Sequence, residues 1–185
     1  MGVLRTLWEG GMQTHRGKHY TVEDARIFDL PDEPIPVAVA AAQPQAAELA
    51  GRIGDGLITV SPDEELVEKF KEGGGDGRVY GQLHACWGPD ERAARKLAHE
   101  LWPNGGLQGA ASQELPLPEH FEQAAENVEE DDVAETVVCG PDPERLLEKI
   151  REFERAGATH VYVHQIGPDQ EGFLSFCRDE LLPRV

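Results

Sequence analysis

Pro36-Val37-Ala38-Val39-Ala40-Ala41, a helical stretch over residues 45–53, and Gly56-Leu57-Ile58-Thr59-Val60 follow one another in the first third of the chain. Their reading decides the fold class. Each outer segment is a continuous apolar run of about one strand's length, which means burial on both faces, as in a parallel sheet. The helix between them is the crossover that a parallel pair requires.

Downstream the alternation repeats. Ser61 is an expected N-cap for a helix over residues 62–72, followed by a strand over residues 78–87. A charged amphipathic helix spans residues 90–102, shorter helical pieces cover 118–128 and 132–136, and a helix that begins with Pro141 runs to residue 156, stopped by Gly157. The last strand is His160-Val161-Tyr162-Val163-His164-Gln165, and a final helix covers residues 170–182. Upstream, residues 2–9 read as the end of an amphipathic helix stopped by Gly10-Gly11, opening abruptly enough to suggest a preceding segment. Residues 14–18 read as a loop and Tyr20-Thr21-Val22 as a short strand. Four buried strands separated by helices predict an α/β fold with helices outside a parallel sheet. A complete (β/α)8 TIM barrel takes about 250 residues and eight strands. Four strands in 185 residues are therefore either a smaller open sheet or part of a barrel. No compositional break marks a second domain, so residues 1–185 are read as one.

The charge balance narrows the partners. With 35 Asp and Glu against 17 Lys and Arg, the formal net charge is -18, which repels nucleic acid and anionic membrane surfaces at long range. A small anionic ligand is still allowed, because a helix N-terminus binds phosphate through a few backbone N–H groups. Cys86, Cys139 and Cys177 are odd in number and form no C-x-x-C pair, so neither a disulfide framework nor a zinc ribbon is expected; they read as small buried hydrophobes. No basic segment followed by an apolar run opens the chain, and the expectation is a cytoplasmic protein.

Motifs with chemistry are few. Gly51, Gly54 and Gly56 precede a strand, whereas a dinucleotide-binding fingerprint follows one, so they read as a turn. Residues 73–77, Gly-Gly-Gly-Asp-Gly, lack the Lys-Ser/Thr of a P-loop and read as a helix stop. His160 and His164 on a strand stand roughly 13 Å apart and cannot share a metal; no metal site is expected there or at His15 and His19. The acidic run Glu129-Glu130-Asp131-Asp132 reads as a solvated face or a helix N-terminus. Position is more informative. In barrels the active site lies at the C-terminal ends of the strands, here residues 41–45, 60–62, 84–88 and 164–170, the first and last being the strongest candidates.

Three stretches carry a resemblance: Gly17-Lys18-His19-Tyr20-Thr21-Val22-Glu23-Asp24-Ala25-Arg26, Ala46-Ala47-Glu48-Leu49-Ala50-Gly51-Arg52-Ile53-Gly54-Asp55-Gly56-Leu57, and Tyr162-Val163-His164-Gln165-Ile166-Gly167-Pro168-Asp169-Gln170-Glu171. Leu101-Trp102-Pro103-Asn104 and Ser112-Gln113-Glu114-Leu115-Pro116-Leu117-Pro118 extend it. The chain resembles the luciferase-like oxidoreductases, and within them the branch similar to F420-dependent glucose-6-phosphate dehydrogenases. The resemblance implies the C-terminal half of a luciferase-like TIM barrel, with coenzyme F420 in the mouth exchanging a hydride with an organic substrate.

The family's acid/base His and Glu belong to earlier strands and match nothing here, so no catalytic residue is implied. The implied cofactor-binding residues are Ala42, Gln43, Gln45 and Ala46, with Gln43 standing where the sugar-phosphate enzymes have glycine. The implied substrate-binding residues are Val60, Ser61 and Gln165. Val60 and Asp63 stand where those enzymes hold the sugar phosphate with Thr and Lys, and Thr136 where they use Arg. The loss of these cations argues against glucose 6-phosphate, since a phosphate dianion needs charge-assisted donors. Two alternatives remain open at this point: an FMN-dependent monooxygenase of the same superfamily, and a non-catalytic truncated half-barrel. Exposed strand edges predict a homo-oligomer or pairing with an N-terminal half.

Overall fold

The computed structural model describes residues 1–107, 109 and 115–185. Ser112, Gln113 and Glu114, part of one stretch that carries the family resemblance, lie outside the described residues. The chain forms two compact bodies, one of Met1–Ile58 with Glu65–Val79 and one of Thr59–Glu64 with Tyr80–Val185.

In the first body, α1 (Gly2–Trp8) ends where Gly10 and Gly11 adopt positive φ. The following polar stretch, expected as a loop, instead makes strand β1 (Gln13–Arg16), antiparallel to β2 (Thr21–Ala25). Its pairing is held by local polar contacts, Arg16 to Glu23 at 2.6 Å and the Asp24 N–H to Thr14 Oγ1 at 3.1 Å. A hairpin with largely exposed side chains has no hydrophobic alternation to read.

β3 (Ala38–Ala40) and β4 (Gly56–Thr59) pair parallel, Val39 opposite Leu57. β3 is shorter than expected and only half-buried, while Leu57 of β4 is fully enclosed. Between them α2 (Pro44–Ile53) buries Ala47 and Ala50. Gly51 and Gly73, one from each glycine-rich stretch, have a packing reason. A Cβ at Gly51 would lie 2.0 Å from the Phe70 carbonyl oxygen, and one at Gly73 2.1 Å from that of Glu48. Thus α2 meets the end of α3 (Glu64–Glu72) backbone to backbone. Asp55 ties the front of the body together, accepting from the Val37 N–H at 2.9 Å and from Arg5 at 2.9 Å. The Val37 hydrogen bond first, and Arg5 with it, hold the Asp55 carboxyl below the usual carboxylate range.

Ser61 does not cap α3. Its N–H donates to Thr59 Oγ1, whose hydroxyl donates back to the Ser61 carbonyl, a local turn that competes with capping. The helix starts only at Glu64.

The second body is built around β5 (Arg78–Cys86), whose residues from Tyr80 onward belong to it. α4 (Glu91–Leu101) is capped by Asp90, which accepts from the Ala93 N–H. α5 (Pro118–Ala125) and α6 (Glu130–Thr136) follow. The acidic run is a helix N-terminus: Glu129 and Asp132 form a reciprocal capping box, where negative charge also suits the macrodipole.

A further strand, β6 (Val137–Cys139), was not expected from the sequence, because three residues are too few to show a period. It pairs parallel with the end of β5, Cys86 opposite Cys139. Both thiols are buried, and burial, with the neighbouring Cys86 next, pushes the Cys139 thiol up to about 11. α7 (Pro143–Arg155) is capped by Asp142, and β7 (His160–Gln165) pairs parallel with β5. The final helix is not continuous. α8 (Gln170–Phe176) passes into a π-turn at Cys177–Leu181 and a 3-10 turn at Leu182–Arg184. Among the described residues no helix is long and apolar enough to cross a membrane.

Candidate active-site face

The β5–β7 pair has two faces of opposite character. In register, Tyr80 stands opposite His160, Gln82 opposite Tyr162, Leu83 opposite Val163 and His84 opposite His164. Because strand side chains alternate in direction, Leu83, Ala85, Val161 and Val163 share one face. There they pack with Leu146, Leu147 and Phe153 of α7 and Phe173 of α8. Gly81 on this face leaves room for Phe153, since a Cβ there would lie 2.4 Å from the ring.

The opposite face carries rings. Tyr80 lies 5.3 Å from His160 and 5.8 Å from Tyr162, centroid to centroid. Near the C-terminal ends of the strands, His84, His164 and Trp102 form a triangle. His84 and His164 are 5.3 Å apart, and the indole lies 5.7 Å from the first and 5.3 Å from the second. Trp102 reaches this face as the residue that ends α4. Gln82 Nε2 approaches His84 Nε2 at 3.4 Å, and His164 Nδ1 is buried without a hydrogen-bond partner. Burial first, and the neighbouring imidazole of His164 second, hold His84 below the usual histidine range. His84 therefore stands neutral at neutral pH. With its Nε2 accepting from the Gln82 amide, the neutral His84 ring keeps its Nδ1–H as the remaining donor.

Gln165, expected to touch substrate, is 7% exposed and its amide is engaged. It accepts from the Trp87 N–H at 2.9 Å and donates to the Trp87 carbonyl at 3.4 Å, fixing the chain as it leaves β5. Val60 is 59% exposed and Ser61 is exposed beside it. In the first body, Ala42, Gln43, Gln45 and Ala46 are all exposed around the N-terminus of α2, with Gln43 at its N-cap and Pro44 in its first turn. Thr136, at the position where the resemblance implies an arginine, donates its hydroxyl to the carbonyls of Gly105 and Val133.

Sequence reasoning pointed to residues 84 and 164 only as strand ends, and missed Tyr80, Gln82, Trp102 and Tyr162. The signal was the alternation Tyr80-x-Gln82-x-His84 against His160-x-Tyr162-x-His164, in strands that otherwise read as buried on both sides.

Parallel strands with flanking helices and a polar aromatic face along β5 and β7 define an α/β protein. A profile of the luciferase-like monooxygenase family matches residues 1–160, and the chain belongs to that family. It is 31% identical to the F420-dependent glucose-6-phosphate dehydrogenase of Beutenbergia cavernae and 29% identical to that of Mycobacterium tuberculosis, in each case over 100% of this chain and 59% of the relative. Among solved structures, it matches an F420-dependent secondary alcohol dehydrogenase in complex with an F420–acetone adduct. There the TM-score is 0.82 at 25% identity, over 97% of this chain and 58% of that one. A coenzyme F420-dependent tetrahydromethanopterin reductase from Methanopyrus kandleri shares the fold at a TM-score of 0.60 and 22% identity. The chain thus spans about three fifths of the length of the relatives it matches.

Proposed function

We propose that this chain is the C-terminal part of an F420-dependent oxidoreductase that moves a hydride between the deazaflavin and a small organic substrate. The observation that carries the reading is the agreement of the whole chain with F420-dependent dehydrogenases in both sequence and structure. The residues present fit the cofactor's anionic arm. Ala42 and Ala46 are small and exposed, and the first turn of a ten-residue helix leaves backbone N–H groups without intrahelical partners. Ala42, Gln43, Gln45 and Ala46 would hold the cofactor there; F420, when bound, supplies the hydride chemistry. Val60 and Ser61 would border the substrate, while Gln165 acts through the Trp87 backbone.

The same reading includes a pairing partner and a cytoplasmic setting. Pairing is supported by β7, which among the described residues pairs with β5 alone. A cavity of about 530 Å³ beside it is lined by Leu147, Ile150, Val161, Val163 and Leu181. Light scattering tests this part, a monodisperse monomer counting against it.

The decisive experiment is a fluorescence anisotropy titration of the purified chain with F420, and separately with FMN. Saturable micromolar binding of F420 in preference to FMN is expected. Absence of F420 binding, in a chain that is folded by circular dichroism, would remove the cofactor assignment from residues 42–46.

A further inference from the structure

The negative charge is not spread evenly along the chain. Residues 97–144 hold 12 of the 35 Asp and Glu and none of the 17 Lys and Arg, so about a quarter of the sequence carries -12 of the net -18. The same stretch forms a groove of about 600 Å³ whose lining includes Leu101, Pro103, Leu115, Leu117, Phe121 and Ala125, together with the exposed carboxylates of Glu100 and Glu122. We infer that this groove docks a short cationic amphipathic helix of a partner protein, whose apolar residues fill the groove while its Lys or Arg side chains meet the carboxylates. The inference stands apart from the oxidoreductase reading and concerns a different surface from the cavity beside β7.

α5 is built against its own charge. Elsewhere in the stretch Glu100 pairs with Lys96, Asp131 with Arg95 and Glu144 with Arg184, while Glu129, Asp132 and Asp142 cap helices. Glu119, Glu122 and Glu126 fall at i, i+3 and i+7, on one side of α5, and among the described residues none of the three has an ion-pair partner. Like charges at these spacings destabilise a helix. Glu126 also stands at the C-terminal end, where the macrodipole disfavours an anion, and α5 has no fully buried residue to offset this. Leu117, Phe121 and Ala125 fall at i, i+4 and i+8, so an apolar stripe runs beside the acidic one. Leu117 is 50% exposed, and Leu101 across the groove 49%.

These two stripes select the occupant. Nucleic acid and anionic lipid are repelled by the carboxylates. A second copy of this chain brings the same net charge of -18, and the Lys and Arg of its α7 are interleaved with Glu. A polyamine matches the charge but leaves Leu101, Leu117 and Phe121 in water. A helix with one basic and one apolar face satisfies both stripes, because apolar anchors one turn apart enter a groove and complementary charge speeds the encounter.

The test is a fluorescence anisotropy titration of the full chain against a labelled amphipathic helix made of Leu and Lys. Micromolar binding is expected, weakening about tenfold as NaCl rises from roughly 0.05 to 0.5 M and the screening length falls to a few ångströms. A scrambled peptide of the same composition keeps the charge and loses the apolar face, and it should bind at least about tenfold more weakly. Leu117→Ala should weaken the ordered helix about fivefold, through the half of the side chain still open to burial, and Glu122→Gln about threefold, both with an unchanged circular dichroism spectrum. Amide NMR shifts on the unaltered chain should centre on residues 101–104 and 117–125, a readout that does not depend on any variant folding. Equal binding of the ordered and scrambled peptides would reduce the effect to general attraction by an acidic protein and overturn the inference, as would shifts centred elsewhere or no binding at all.

Discussion

The two faces of the β5–β7 pair are made by neighbouring residues of the same two strands, yet they do different work. On one, Leu83, Ala85, Val161 and Val163 meet α7 and α8 in an apolar cluster. On the other, Tyr80, His84, His160, Tyr162 and His164 form ring contacts with one another, and Tyr162 remains mostly exposed. Burial of the first face stabilises the fold by roughly 25 cal/mol for each Å² of apolar surface removed from water. The second face gains less of this, with His160 and Tyr162 exposed and Tyr80, Gln82, His84 and His164 half-buried. The comparison teaches that a buried face carries stability and an open one of unusual composition carries the candidate for binding.

Substitutions on the two faces break or sharpen this contrast. Phe153→Ala removes a ring that is 2% exposed and fills the space above Gly81. It should cost about 3–5 kcal/mol in urea unfolding, whereas Tyr162→Ala on the open face should stay within about 0.5 kcal/mol. Equal losses would mean that the open face is core as well.

At the strand exits, Gln165→Leu leaves the Trp87 N–H and carbonyl without the amide that bridges them. A destabilisation of about 1–3 kcal/mol is expected, with disturbed Trp87 backbone signals in NMR. An unchanged Trp87 would return Gln165 to the role of a direct substrate contact.

The smallest effect is electrostatic. His84 is held below its ordinary value of 6.5, by burial first and by His164 second. Between that folded value and 6.5 the unfolded chain binds more protons, so the stability tied to neutral His84 is complete above 6.5 and is lost as pH falls through the window. Among the described residues, the hydrogen-bond and ring partners of His84 are Gln82, Trp102 and His164, none of them a carboxylate. The melting temperature should therefore drop on acidification from pH 7.5 to 5.5, and drop less in His84→Gln. Parallel acid limbs in the two proteins would show that His84 is as solvated as a surface histidine.

Much of this was legible before any coordinates. The strand-helix alternation located β4, β5 and β7, and the Asp90 and Gly157 signals marked where α4 begins and α7 ends. What escaped has physical reasons. β1 is polar throughout, so its alternating exposure leaves no hydrophobic alternation in the sequence; β6 is three residues long, below the length at which a period of two can be recognised. Ser61 has the right chemistry for a cap, but Thr59 takes its backbone first. At the candidate site, the resemblance led to the loops after β3 and β4 and to Gln165, all next to strand ends. The imidazole pair lies inside the strands, where an apolar neighbour at every second position hid the polar rows.

The sequence by itself determined the α/β class, the order of its principal strands and the family, because local periodicity and capping residues act over a few positions and survive in any reading of the chain. Only the tertiary structure decided which face of β5 and β7 is covered and which rings meet on the other. His84 and His164 are separated by 80 positions, and Trp102 comes from the end of a helix. Alternation says that two faces exist; strand register and the seating of α7 and α8 decide what each face touches.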